Sequence, residues 1–361
     1  MGLREQDVFR LVWLTGGVVA VNEPGPDVKL TAGANGPPIC GFRLGDPATL
    51  LAALRNEGFS IIGTTFVTCP EERQGLRPPE FRAAGPEPGW LVLDTKNQWR
   101  QISFGAGNAA NMPLLDIASR IASNLTYSQM RVGDLAKAYS RQLRGSVSAQ
   151  KPKDYLAFKD MNSFEVYKAI HALFWEMAVL RDRLAEFAAS FCLSRPKTTR
   201  MSSLRKSLRS EPSGDPLAVQ ILGATDPLNG WLAKFSSYRD CFTHVAPMEQ
   251  AANIAYAIQD MRAVSARLTV PQIYYPLPKD VQGLMRRRSE GAPFSSVEEL
   301  AAASTGRHDR SSEPDALEYL HGCLNQLAGL SRELVKRSPI APKPIELTKE
   351  DIIGEISVSR R

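Results

Sequence analysis

The chain has 361 residues, with 44 Lys and Arg against 38 Asp and Glu, a formal net charge of +6. Hydrophobic content of 43% and charged content of 23% are ordinary globular values, which excludes a wholly disordered chain, a collagen-like repeat and a coiled-coil rod. The length predicts two domains, or one domain with a long appendage.

No run of 18 apolar residues is present, so no membrane partner is expected. Met1 to Arg10 carries Glu5 and Asp7 and lacks an apolar stretch, so no secretory leader is expected and the reading is a cytoplasmic protein. Cys40, Cys69, Cys192, Cys241 and Cys323 stand far apart, without a Cys-x-x-Cys pair. That spacing predicts reduced thiols, no structural metal site and no disulfide framework. His171, His244, His308 and His321 are the four histidines, and they restrict where imidazole chemistry can occur.

Leu11–Val21 reads as two strand-like runs around Gly16-Gly17, a hairpin signal. Pro47–Asn56 predicts a short helix capped by Asp46, with proline at a position whose N–H is not needed. Phe59–Thr68 is strand-like again. Trp90–Leu93 and Trp99–Phe104 predict a second hairpin around DTKNQ. Residues 113–124 and 133–144 read as helices, the second starting after Gly133-Asp134. Gly105-Ala106-Gly107 lacks the third glycine and the downstream acid of a dinucleotide loop, and no phosphate-loop motif occurs, so no cofactor is expected.

From Asn162 the pattern changes. Val166, Ile170, Leu173, Met177, Leu180, Leu184, Phe187 and Phe191 form a stripe along a helix of roughly eight turns. Asn162 or Ser163 is its expected cap. Residues 193–210 form a link holding Arg195, Lys197, Arg200, Arg205, Lys206 and Arg209 and no acid. Helices follow at about 216–223, 227–238 and 248–266. Residues 267–312, which include Arg286-Arg287-Arg288, read as an insertion with a little helix near 296–303. A last helix starts at Pro314, with Leu317, Leu320, Leu324, Leu327, Leu330 or Ser331, and Leu334 on one side. The fold class is therefore α+β: a mixed domain over 1–150, an all-α bundle over 155–337 interrupted at about 267–312, and an extended tail over 338–361.

Between two helices of the expected bundle lies Tyr238-Arg239-Asp240-Cys241-Phe242-Thr243-His244-Val245-Ala246-Pro247. Arg239 is followed by an acid and, after four intervening residues, by His244. This segment resembles the Arg-x(4–6)-His motif of HEPN domains, the "higher eukaryotes and prokaryotes nucleotide-binding" helical bundles. The resemblance covers about residues 155–337. It implies a metal-independent endoribonuclease, a toxin or anti-phage effector, with Arg239, Asp240 and His244 in catalytic roles. Histidine suits proton transfer to and from an RNA phosphodiester because its pKa lies near working pH. Arginine holds the phosphate and the extra charge of the transition state through a planar donor fork. Asp240 would orient one of them.

Five residues correspond to about 140° on an ideal helix, so Arg239 and His244 would not share a face. In HEPN ribonucleases two motifs meet across a two-fold interface, which implies a homodimer here. Ala246 stands where HEPN toxins paired with nucleotidyltransferases carry a Tyr that receives AMP, so control by that modification is not expected. The basic residues Arg200, Arg205, Lys206, Arg209, Arg286, Arg287 and Arg288 are candidates for guiding RNA, since phosphate contacts supply affinity without sequence specificity. Residues 1–150 would then be a sensor or adaptor that takes a regulatory partner or ligand. The alternative is a non-catalytic HEPN-like bundle that binds RNA, a nucleotide or a partner chain, or an ordinary interhelical Arg–Asp pair with a capping histidine.

Overall fold

The computed structural model describes residues 9–74, 76–86, 89–149, 151–195, 198–245, 257–266, 268–291, 296–298 and 313–344. Among these, no helix is long and apolar enough to cross a membrane. The fold is mixed α+β: a sheet-rich N-terminal region followed by helices.

Six antiparallel strands form the N-terminal sheet, in the order β4-β3-β2-β1-β5-β6. They are β1 Phe9–Leu14, β2 Val19–Asn22, β3 Asp27–Thr31, β4 Pro38–Arg43, β5 Ile61–Val67 and β6 Glu80–Ala83. The hairpin expected around Gly16-Gly17 joins β1 to β2. Its turn is confined on two sides. A Cβ on Gly16 (φ +70°) would meet the Gln272 side chain at 2.4 Å, and one on Gly17 (φ +85°) the Tyr139 carbonyl at 2.7 Å. The helix α1 (Leu50–Asn56) follows a 3-10 turn at Pro47–Thr49, whose first turn is capped by Asp46 accepting from the Ala48 N–H at 2.9 Å. A short turn of helix, α2 (Pro70–Arg73), links β5 to β6.

The second expected hairpin is not formed. Residues Leu91–Asn108 are one helix, α3. Val92, Thr95, Trp99, Ile102 and Ala106 are buried at helical spacing. Trp99 is fixed by donating to Ser331 Oγ at 2.7 Å and by edge-to-face contact with Phe187. The two helices expected over 113–144 are a single one, α4 (Met112–Ala149), about 57 Å long at 1.5 Å per residue. Gly133, read as a start signal, lies inside it because the Phe81 ring packs there.

The long striped helix is α5 (Met161–Phe187), extended by a π turn over Ala188–Cys192. Its cap is Asp160, which forms a reciprocal capping box with Ser163. The stripe from Val166 to Phe187 is buried and Phe191 is half-buried. After it come α6 (Met201–Ser210), which replaces most of the expected link, α7 (Pro216–Ala224) and α8 (Trp231–Asp240). The helix expected over 248–266 is instead a strand, β8 (Ala257–Ser265), where it is described. It is hydrogen-bonded between β7 (Leu156–Phe158) and β9 (Leu268–Tyr274). The C-terminal part is thus not all-α. The insertion region also holds α9 (Val281–Ser289), and most of the little helix expected at 296–303 lies outside the described residues. The last helix, α10 (Ala316–Lys336), is capped by Asp315 and buries its expected leucine stripe.

Among the described residues the core does not divide between the regions expected over 1–150 and 155–337. The helices α3 and α4, expected with the N-terminal domain, pack against α5 and α10 as a four-helix group. One hydrophobic core runs from Val12 and Leu30 of the sheet to Leu324 and Leu334 of α10. The length of α4 is the reason: one end lies under the sheet and the same helix continues along α5. Of the tail expected over 338–361, Ile340 packs on the core, and residues 345–361 lie outside the described residues.

Candidate functional site

The motif occupies the end of α8 and the π turn Cys241–Val245 that prolongs it. Leu232, Phe235, Tyr238, Cys241 and Phe242 are the inward residues. Phe174 of α5 stacks on Phe235 and meets Phe242 edge-on, and Tyr238 stacks on Phe242. The Tyr238 hydroxyl donates to the Pro278 carbonyl at 2.7 Å. This aromatic cluster leaves Arg239 and Asp240 on the flank, while His244 is exposed.

Arg239 Nη1 lies 2.9 Å from Asp240 Oδ1, and its side chain is 21% exposed. The Nε of Arg239 is buried with no partner among the described residues. Asp240 therefore engages one edge of the guanidinium and leaves donors for another group. His244 follows after a π turn, which closes between residues five apart instead of four. That winding brings positions 239 and 244 nearer to one face than the ideal-helix rotation predicts.

Arg239 also stands between two adjoining clefts of about 340 Å³ and 330 Å³. Both are walled by Arg181, Ser202 and Arg239. Arg200, Asp182 and Trp175 also line the first, and Arg205, Asp240 and Gln282 the second. Arg181, on α5, is buried; its Nε donates to Asp182 Oδ1 at 2.9 Å and its Nη1 to Ser236 Oγ at 3.0 Å. The same Asp182 oxygen accepts from the Met201 N–H at 3.1 Å, which seats the first turn of α6 against α5. That seat brings the side chains of Arg200 and Arg205 to the cleft. Trp175 is 60% exposed at the rim.

Of the residues expected to bind RNA, Arg200 and Arg205 line the clefts. Lys206 and Arg209 are exposed on α6 away from the lining. Arg286 and Arg287 are exposed on α9, which packs beside α8 and the π turn, where Gln282 Nε2 donates to Ser237 Oγ at 3.4 Å. The Arg288 side chain and Ala246 lie outside the described residues. His244 does not line either cleft. The motif composition singled out Arg239 but missed Arg181 and Trp175. Their one sequence signal was position on α5: Arg181 breaks the polar edge of an apolar stripe, and Trp175 falls off it.

Burial pushes the Cys241 thiol up to about 11 and the Cys323 thiol up to about 12, so neither is a thiolate near neutral pH. His171 lies against the Phe242 ring, with centroids 5.9 Å apart. His321 is held by the Ala84 carbonyl on the far side of α10, and His308 lies outside the described residues. No family model, no curated protein and no solved structure matches this chain.

Proposed function

We propose that this protein is a metal-independent endoribonuclease of the HEPN type, acting on RNA in the cytoplasm as a toxin or defence effector. The observation that carries the reading is the position of Arg239. It lies between two adjoining clefts, one lined also by Arg181 and Arg200 and the other by Arg181 and Arg205, with an exposed His244 following through a π turn. Guanidinium groups grouped in this way suit an RNA phosphate backbone. Exposed Trp175 offers a ring for a base to stack on.

In this mechanism Arg239 holds the scissile phosphate and stabilises its developing charge. The His244 imidazole takes the proton from the 2′-hydroxyl, which attacks phosphorus to give a 2′,3′-cyclic phosphate. The 5′-oxygen leaves and takes a proton from a second imidazole. A second copy of the chain supplies that imidazole, so the active species is a homodimer. Asp240 fixes the Arg239 fork.

The Arg239–Asp240 ion pair also favours a second reading, a bundle that binds RNA without cutting it, because a guanidinium partly neutralised by a carboxylate stabilises less of the charge that develops on the phosphate. Incubating RNA in excess chelator with the wild type, Arg239→Ala and His244→Ala decides between them. Cleavage by the wild type that is lost in both variants supports the nuclease. Equal cleavage by all three overturns it. Binding that needs Arg239, with no cleavage at any protein concentration, selects the second reading.

A further inference from the structure

A separate concavity, of about 540 Å³, lies on the N-terminal sheet and shares no lining residue with the two arginine clefts. The strand register dictates its make-up. Arg10 of β1 pairs with Phe66 of β5, and Thr64 of β5 pairs with Arg82 of β6. Directly paired residues share a face of a sheet and alternate residues return to it. Arg10, Thr64, Phe66 and Arg82 therefore stand together on one face. Phe81, the neighbour of Arg82, points to the other face, onto Gly133 of α4. The concave face is roofed by Leu51 and Arg55 of α1 and closed at one end by Trp90.

Two features mark it as built for a ligand. Thr64, which lines the concavity, is 1% exposed, and its hydroxyl has no hydrogen-bond partner among the described residues. A buried hydroxyl left alone is costly, so such a group calls for a partner. Arg82 Nε is likewise buried and unpartnered, although its Nη2 reaches Glu80 at 2.8 Å. The second feature is the combination of charge with rings. The Arg82 guanidinium rests 4.7 Å from the centroid of Phe66 and 6.0 Å from that of Trp90, and these two rings meet edge-to-face at 5.7 Å. Arg10 and Arg55 flank this group, and among the described residues no Asp or Glu lines the concavity. Arg55 is turned toward it by a long contact from Nη2 to the Gly85 carbonyl, 3.4 Å.

The geometry points to a binding site for a nucleoside monophosphate on the N-terminal sheet. The volume lies within the range of small-molecule sites. Arg55 offers its guanidinium fork to the phosphate oxygens, and Arg10, whose Nε donates to Asn22 Oδ1 at 3.1 Å, adds positive charge beside it. The base lies against Trp90 and the Arg82 plane, both of which stack on any base. Thr64 hydrogen-bonds a polar atom of the ligand, as donor or acceptor. The site stands apart from Arg239 and His244, so it is independent of the nuclease reading.

The test titrates the full chain with the four nucleoside 5′-monophosphates, following tryptophan fluorescence and calorimetry, with adenosine and inorganic phosphate as separate arms. At least one monophosphate is expected to saturate at one site per chain. Binding is expected to weaken about tenfold or more in Arg55→Ala and in Arg82→Gln, as loss of a charge-assisted hydrogen bond does. Arg332→Ala, on exposed α10 surface, leaves it unchanged. Adenosine and phosphate each bind about tenfold or more weakly than the complete ligand. No saturation by about 1 mM ligand overturns the proposal. So does undiminished binding in Arg55→Ala, which decides the matter if Arg82→Gln does not fold. Phosphate binding as tightly as every monophosphate also overturns it, because the ring wall then contributes nothing.

Discussion

Arg239 and Asp240 are neighbours in sequence and form an ion pair of 2.9 Å on the wall of the arginine cleft. The pair is part-exposed, so it contributes little to stability and much to the local charge. Replacing Asp240 by Asn frees the Arg239 fork and removes a negative charge that an RNA phosphate would meet. Asp240→Asn is expected to bind single-stranded RNA about two- to fivefold more tightly. Arg239→Ala is expected to weaken binding and to reduce the slope of log K against log salt by about 0.7. Filter binding over a series of salt concentrations reads both; an unchanged slope in Arg239→Ala would place its guanidinium off the RNA path.

His321 Nε2 lies 2.9 Å from the Ala84 carbonyl, which also accepts from Asn325 Nδ2 at 3.1 Å. A carbonyl can only accept, so the imidazole is held with Nε2 protonated and donating. Burial pushes the His321 pKa down to about 4, against an ordinary value of 6.5. The unfolded chain therefore binds more protons between pH 6.5 and 4. Stability from this group is complete above pH 6.5 and is lost as the pH falls toward 4, by up to about 3 kcal/mol. Urea unfolding of His321→Asn across that window should show a flatter pH dependence than the wild type. Parallel curves would mean that His321 titrates alike in the folded and unfolded chain, against the burial argument.

Asp315 joins three elements at once. It caps α10 through the Leu317 and Glu318 N–H groups, each at 3.1 Å, and it accepts from the Tyr139 hydroxyl at 2.9 Å and the Tyr275 N–H at 2.8 Å. Burial beside this carboxyl also drives the Tyr139 hydroxyl well above the usual tyrosine range, so it stays a donor. Asp315→Ala removes the cap and strands several buried donors, for an expected loss of about 3–5 kcal/mol. Asp315→Asn keeps one acceptor oxygen and should cost about half as much. Denaturant midpoints at constant slope measure both.

Two glycines within helices should respond in opposite directions to alanine. A Cβ on Gly133 of α4 would meet the Phe81 ring at 2.9 Å, whereas one on Gly322 of α10 meets nothing within 4 Å. Gly322→Ala is expected to stabilise by about 0.5–1 kcal/mol through helix propensity. Gly133→Ala gains the same propensity but displaces Phe81 from its seat under the sheet, for a net loss of about 1–2 kcal/mol. Thermal unfolding of the two variants gives the signs directly.

Local chemistry was legible in the sequence wherever the cause lies within a few residues. Asp46 before Pro47 announced α1, Gly16-Gly17 announced the first hairpin, and the apolar stripes of Val166–Phe187 and Leu317–Leu334 announced α5 and α10. Arg239, Asp240 and His244 stood out because they lie within six positions, but only Arg239 and Asp240 line a cleft. Where the cause is distant, local reading failed. Trp99 and Ile102 are strong strand formers, and it is packing on Phe187 and Ser331 that makes their segment helical. Gly133 punctuates nothing because Phe81 fills the space it leaves. The cleft itself could not be read from sequence, since Arg181 and Arg239 meet only when α5 and α8 pack through Phe174, Phe235 and Phe242. The sequence by itself thus determined the Asp46 cap, the amphipathic stripes and the chemical types present at the motif. Only the tertiary structure decided which arginines converge and where α4 carries the sheet, because those depend on burying surfaces far apart along the chain.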